Sequence, residues 1–243
     1  MTDLHGAVAV VTGGARRLGK SITLALAEAG CHVVINYRSS AEDAERTAAA
    51  ARSAGVRALT VCGDVTQAAA ADHLLAATLA EFGRVDVLVA NAGAFQRTPL
   101  AALTEEQWDA MLTNNLRATY LCAQRFGLHM RTRGGCIVAL ADVAGIRPWI
   151  DYLPYSISKA GIIALTHALA KELAPSVRVN ALAPGPVLFP EHFDPAVRQR
   201  EIDRTLLKRA GTAQHIADAA LFLIRNDYIT GVVLPVDGGR LLT

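Results

Sequence analysis

The feature that most restricts the fold of this chain is an alternation of short, continuous apolar runs with stretches whose apolar positions recur at helical spacing. The runs, rich in β-branched residues, fall at 7–12 (AVAVVT), 31–37 (CHVVINY), 58–62, 85–90, 136–141, 177–182 and 232–236. A strand that is apolar at every position has both faces buried. Strands that alternate with helices pair in parallel through right-handed crossovers. The helical stretches reach from the first glycine-rich turn to residue 29, then cover 41–54, 67–82, a segment from about 104, 155–173, 195–207 and 213–224. The implied fold is α/β: a doubly wound parallel sheet with helices on both faces. A length of 243 residues suits one domain with a large core. No linker, repeat or low-complexity tract divides it; the Ala-rich segments 48–51 and 68–71 lie within helical patterns.

The 24 basic and 22 acidic residues are interspersed, giving a net charge of +2 with no basic run. Neither nucleic acid nor a membrane surface is therefore indicated as a partner, and the expected ligand is a small molecule. The opening MTDLHGAVAVVTGG has no basic region ahead of its apolar run, and no apolar segment approaches the roughly 20 residues a bilayer needs. A soluble cytoplasmic protein is expected. Cys31, Cys62, Cys122 and Cys136 are scattered without CxxC or His pairing, which predicts reduced, buried thiols and no metal site.

In an open parallel sheet, ligands bind beyond the carboxyl ends of the strands, and the polar punctuation of this chain collects there. The first run leads directly into Gly13-Gly14-Ala15-Arg16-Arg17-Leu18-Gly19 and a helix. Strand, glycine-rich turn and helix N-terminus together offer backbone N–H groups to a diphosphate, although glycines also serve ordinary tight turns. The second run ends in Tyr37-Arg38-Ser39-Ser40, with no acid before Glu42. An acid here would select NAD, whereas an Arg admits the 2′-phosphate of NADP. Arg38, the hydroxyls of Ser39 and Ser40, and Arg16 or Arg17 can surround a phosphate, so NADPH/NADP+ is the expected cofactor. Ser40 also suits the N-cap of the next helix. Asp64-Val65 and Asn91-Ala92-Gly93 follow the third and fourth runs at the same edge. Two successive amides in Thr113-Asn114-Asn115-Leu116 interrupt an apolar helix and predict a local break with a purpose. Pro184-Gly185-Pro186-Val187 follows the sixth run, and the segment to about residue 208 suits a lid over the site.

Tyr155 and Lys159 are four apart at the start of a helical stretch, so their side chains share one face. An ammonium beside a phenol favours the phenolate and brings its pKa of about 10 toward working range. Alone the pair is a weak pattern, because Tyr and Lys also meet at this spacing on solvated helices.

In order and spacing, Thr12-Gly13 through Gly19, Asp64-Val65, Asn91-Ala92-Gly93, Asn115, Tyr155 with Lys159, Pro184-Gly185 and Asp237-Gly238-Gly239 resemble the short-chain dehydrogenase/reductase family. The resemblance implies a single Rossmann-like domain over residues 1–243 with seven parallel strands, commonly assembled as a homotetramer through helix pairs. It implies cofactor contacts from Gly13, Arg16, Arg17, Leu18, Gly19, Tyr37, Arg38, Ser39, Ser40, Asp64, Val65, Asn91, Ala92, Gly93, Tyr155, Lys159, Pro184, Gly185 and Val187. It also implies roles: Tyr155 as proton donor, Lys159 lowering the Tyr155 pKa and holding the nicotinamide ribose, and Asn115 holding a water for proton relay.

Two departures from the family pattern carry information. Arg17 stands where the glycine motif usually has Gly, and Asp142 stands thirteen residues before Tyr155, where the family has Ser. A hydroxyl there donates to a substrate carbonyl, whereas an ionised carboxylate only accepts. Both departures, with Phe95-x-x-Thr98-Pro99-Leu100 and Tyr37-Arg38-Ser39, resemble the pteridine reductase branch. On that likeness Phe95 stacks on a flat pterin, Arg17 reaches its edge or a phosphate oxygen, and the Tyr155–Asp142 pair supplies the proton for C=N reduction. The expected activity is NADPH-dependent reduction of a dihydropterin or folate, with substrate contacts from Arg17, Phe95, Asp142 and Tyr155. The alternatives are a 3-oxoacyl-thioester or general carbonyl reductase of the same family, with Asp142 a drifted Ser and Phe95 plain loop packing, and a non-catalytic NADP(H) sensor. The intact Asn115, Tyr155 and Lys159 count against the sensor.

Overall fold

The computed structural model describes residues 3–189 and 193–243. The apolar runs form seven strands: β1 (Val8–Val11), β2 (His32–Tyr37), β3 (Ala58–Cys62), β4 (Val87–Ala90), β5 (Gly135–Leu140), β6 (Val177–Pro184) and β7 (Val233–Val236). All pair in parallel in the order β3-β2-β1-β4-β5-β6-β7. The direction of winding reverses between β1 and β4, and a crevice opens at such a point beyond the strand ends.

Period-two alternation of β1 shows why every position of that strand is apolar. Ala9 and Val11 face one core with Val33, Ile35, Ile22, Leu26, Ile216 and Leu223, while Val8 and Val10 face a second with Leu74, Leu88, Phe126, Ile137 and Leu173. The first core is closed by α1 (Arg17–Glu28), α2 (Ala41–Ser53) and α8 (Ala213–Arg225). The second is closed by α3 (Ala68–Phe82), by α5 (Ala118–Met130), which a short α4 (Glu105–Met111) precedes, and by α6 (Leu153–Leu173). A remaining short helix, α7 (Pro195–Asp203), stops four residues before the expected end at 207. Of the expected lid at 187–208, residues 190–192 lie outside the described residues. No helix among the described residues is long and apolar enough to cross a membrane.

Two local expectations are corrected and a third is met. Ser40 occupies the N-cap of α2 but its hydroxyl makes no capping bond. Cys62 is exposed rather than buried, because β3 is the sheet's edge and the Cys62 side chain faces outward there; Cys31, Cys122 and Cys136 are buried free thiols. The segment from 104 is a capped helix start, Thr104 and Gln107 forming a reciprocal capping box. It then widens into a π-helical turn over Leu112–Arg117 before continuing as α5. That turn is the break foreshadowed by the two amides.

Candidate active site

The glycine-rich turn is shaped by positions where no side chain fits. Gly13 has φ of 61° and lies against Ala92 and the Asn91 side chain. A Cβ on Gly19 would collide with the Gly13 carbonyl oxygen and come within 2.6 Å of the Asn91 amide nitrogen. Asn91 fastens the turn to β4: its Nδ2 donates to the carbonyls of Thr12 and Gly13 at 2.9 and 3.1 Å. Thr12 Oγ1 accepts the backbone N–H of Asn91 and of Ala92, both at 3.0 Å.

The cleft above this turn, about 350 Å³, brings together Gly13, Arg16, Arg17, Leu18, Gly19, Tyr37, Arg38, Ser39, Ser40, Asp64, Val65, Asn91, Ala92 and Gly93, all of them anticipated. It also contains Asn36, which sequence reading missed. Asn36 is buried and holds the strand ends in place, its Nδ2 donating to the carbonyls of Val61 and Gly63 at 3.3 and 3.0 Å. One amide inside an otherwise apolar strand was the available signal. At the far end Arg38 lies 3.6 Å from Asp64 and Arg16 lies 3.8 Å from Asp43, all four on the surface side. A cradle from which Cβ atoms are excluded, leading to a rim with two guanidiniums and two hydroxyls, fits a phosphorylated dinucleotide.

Five anticipated cofactor residues do not line that cleft: Tyr155 and Lys159 on α6, and Pro184, Gly185 and Val187. Pro184 ends β6 and Gly185 follows it; a Cβ on Gly185 would lie 2.7 Å from the Cα of Asp237, so the glycine admits the turn after β7. Val187 turns its side chain into the core shared with α1 and α8, leaving only its backbone for a ligand. Arg17 does line the cleft, but with φ of 51° its guanidinium reaches across to donate to the Leu188 carbonyl at 2.8 Å. It is therefore turned toward the lid segment.

Asp142 follows β5 and caps the 3₁₀ turn Val143–Gly145, its Oδ1 accepting the Ala144 N–H at 2.8 Å. The turn sits on α6, since a Cβ on Gly145 would fall 2.6 Å from the backbone of Lys159. That contact brings the Tyr155 hydroxyl onto Asp142 Oδ2, to which it donates at 2.8 Å. Lys159, 7% exposed, donates to the Leu140 carbonyl at 2.7 Å, with its ammonium 5.8 Å from the centre of the Tyr155 ring.

The electrostatics reverse the expected activation of Tyr155. Burial, then the charge of Asp142 and the bond to it, hold the phenol well above its ordinary pKa. Burial likewise raises the Asp142 carboxyl, opposed by the Ala144 N–H, the Lys159 charge and the Tyr155 hydroxyl. Burial lowers Lys159 to about 8, opposed by Asp142. In this arrangement Asp142 is the nearer partner of Tyr155 and outweighs the ammonium.

Asn115 is fully buried. Its Nδ2 donates to the Ala94 carbonyl at 3.1 Å and to Ser158 Oγ at 3.0 Å, and its Oδ1 accepts the Ala94 N–H at 2.7 Å. Both amide donors are thus committed to protein, and the side chain clamps β4's loop to α6. Ser158 was not foreseen, having no signal beyond its place on α6. Phe95 stands beside Tyr155, ring centres 4.9 Å apart and edge to face, but one of its faces is already stacked on Tyr152 at 4.9 Å. Loop packing and site proximity are both true of it.

The chain from 13 to 240 matches the family described as Enoyl-(Acyl carrier protein) reductase. It is 38% identical over 240 residues to a Streptomyces violaceoruber protein named as ketoacyl reductase 2 of the granaticin polyketide synthase, covering 96% of this chain and 95% of that one. It is 36% identical over 247 residues to a Synechocystis 3-oxoacyl-acyl-carrier-protein reductase, covering all of both. Among solved structures, NAD+-bound xylitol dehydrogenase superposes with a TM-score of 0.92 at 30% identity, covering 98% of this chain and all of that one. Glycine cradle, Tyr155–Lys159 helix and sheet order therefore coincide with likeness along the whole length, and the chain belongs to the short-chain dehydrogenase/reductase family of oxidoreductases.

Proposed function

We propose that the protein is an NADPH-dependent carbonyl reductase acting on 3-oxoacyl-type substrates. The observation that carries this reading is the Tyr155 hydroxyl and the Asp142 carboxyl held 2.8 Å apart at the carboxyl end of β5. Near-full-length relatives named as 3-oxoacyl or ketoacyl reductases support it over the pterin substrate first expected from Phe95 and Asp142. The dinucleotide bound in the glycine cradle supplies the hydride. Arg38, Ser39, Ser40 and Arg16 hold its 2′-phosphate, and Lys159 meets its ribose. Tyr155 donates a proton to the substrate oxygen, and the Lys159 ammonium stabilises the phenolate left behind.

Asp142 replaces the usual hydroxyl donor, and it does so only while it holds a proton, which burial favours by raising its pKa. Protonated, it donates to the carbonyl oxygen beside Tyr155; ionised, it only accepts and competes for the Tyr155 proton. Dihydropterin reduction stands as a second reading, favoured by the Phe95 ring beside Tyr155, centres 4.9 Å apart. The apolar groove between the π turn and α6, about 640 Å³ and lined by Leu112, Leu116, Tyr120 and Leu165, is the surface we assign to contacts between copies in a homotetramer. The test is NADPH oxidation with acetoacetyl-N-acetylcysteamine across pH. Wild-type kcat/KM falls as pH rises through the raised Asp142 pKa, and Asp142→Ser removes that fall. Wild type that ignores the thioester but reduces dihydrobiopterin would transfer the assignment to the second reading.

A further inference from the structure

Aromatic residues are scarce in this chain, 13 of 243, yet six of them form one connected cluster at the active site. Phe95 is its hub: stacked on Tyr152, edge-on to Tyr155 and Trp149, and tilted toward Phe193, which in turn meets Phe189. The cluster is not closed core, because Phe95 remains 40% exposed and Trp149 and Tyr152 are only half-buried.

The wall is also stapled in place by contacts unrelated to the core. Residues 95–98 and 149–152 belong to loops after β4 and before α6, and a parallel bridge joins Thr98 to Tyr152. The Thr98 N–H donates to the Asp151 carbonyl at 2.6 Å, and Arg97 pairs with the Asp151 carboxylate. Asp151 itself has φ of 65°, in the left-handed region that non-glycine residues rarely enter. That backbone conformation is stabilised by both contacts and turns Trp149 and Tyr152 inward against Phe95. The Trp149 N–H donates to Ser156 Oγ at 3.2 Å, tying the same loop to α6.

From this we infer that the substrate's reacting carbonyl is carried on or directly beside a flat ring system, which lies against the Phe95–Trp149–Tyr152 wall; the inference rests on the carbonyl-reductase reading and narrows its substrate class. A flexible acyl chain offers aromatic faces no stacking partner and loses rotational freedom on binding. A fused ring meets them with its own quadrupole and arrives already rigid.

The test pairs turnover with a binding measurement that needs no turnover. Turnover is compared for 2-tetralone, a fused-ring ketone, and for acetoacetyl-N-acetylcysteamine, a linear one. Wild type is expected to prefer the tetralone in kcat/KM by about tenfold or more. Phe95→Leu is expected to remove that preference chiefly through KM, lowering kcat/KM for the tetralone about tenfold more than for the linear substrate, and Phe95→Tyr is expected to keep it. Binding is read with 2-naphthol, which cannot be reduced, titrated in the presence of NADP+ against a Trp108→Phe protein in which Trp149 is the sole indole. Saturable quenching of Trp149, weakened about tenfold by Phe95→Leu but not by Phe95→Tyr, is the expected result. If naphthol binds in this way while neither ketone is reduced, the ring site stands and the carbonyl-reductase reading fails. If both ketones are reduced but naphthol leaves Trp149 unchanged, or Phe95→Leu depresses both substrates equally, the ring inference is overturned and the reductase reading survives.

Discussion

Replacing Lys159 by Met should make the protein inactive and, at neutral pH, more stable. The ammonium is buried, and burial lowers its pKa from 10.5 to about 8. At about 1.4 kcal/mol for each tenfold change in proton affinity, holding the charged form in the folded protein costs about 3 kcal/mol. Methionine is similar in length and removes that cost. It also orphans the Leu140 carbonyl, which accepts from the ammonium at 2.7 Å, and an unsatisfied buried acceptor costs about 1–3 kcal/mol. The net expectation at pH 7 is a variant about 1–2 kcal/mol more stable than wild type. The sign of the pH dependence is fixed by linkage: where folded and unfolded pKa differ as here, the unfolded chain binds the extra proton between about 8 and 10.5. Wild type therefore gains stability on Lys159 as pH rises through that window, while the Met variant does not. Above it only the lost hydrogen bond remains, and the order of stabilities inverts. Urea denaturation of both proteins from about pH 6.5 to about pH 10.5, with matched slopes, reads the difference directly. A difference that is flat across the series, or a Met variant less stable throughout, would show that the ammonium keeps its hydration in the fold and that the argument from burial is wrong.

Arg38→Asp should weaken NADPH by roughly tenfold to a hundredfold, the worth of one charge-assisted hydrogen bond, and narrow the gap to NADH; isothermal titration with both cofactors checks it, and unchanged NADPH affinity removes Arg38 from the site. Tyr155→Phe should keep NADPH affinity within about twofold while steady-state turnover falls by about a hundredfold or more, since ring packing survives and the transferable proton does not. Gly19→Ala should abolish NADPH binding and lower the thermal midpoint, because its methyl would collide with the Gly13 carbonyl; a variant that folds and binds normally would mean that the turn can open to admit it.

The sheet was legible because burial on both faces leaves a signature at every residue of a strand, and all seven runs became strands within a few residues of their expected ends. The cleft over the glycine-rich turn was nearly as legible, since glycines and polar residues at strand ends have few other reasons to alternate with apolar runs. What sequence did not yield are relations between loops. Nothing local to Trp149 or Tyr152 says that they face Phe95, because that pairing depends on where the loop after β4 meets the loop before α6. The reach of Arg17 to Leu188, 171 positions away, is invisible for the same reason. The Tyr155–Lys159 pair was found, but the direction of its electrostatics was not, because spacing on a helix carries no information about Asp142 or about how deeply the pair is buried.

The π turn at Leu112–Arg117 has a consequence for how this helix can change over evolutionary time. A single residue deleted there would return the segment to ordinary helical winding with α4 and α5 still in phase, because the π turn absorbs one surplus residue, but residues inside the turn would shift by one position, about 100° of side-chain direction in a helix of 3.6 residues or so per turn. Asn115 would swing away from Ala94 and Ser158, releasing at once the loop behind the cofactor cleft and its link to the helix that bears Tyr155. The surplus residue thus sets a reading frame for side-chain direction. Substitutions along the outer face of α4 and α5 leave that frame intact, whereas a one-residue length change between them uncouples cofactor and proton donor together.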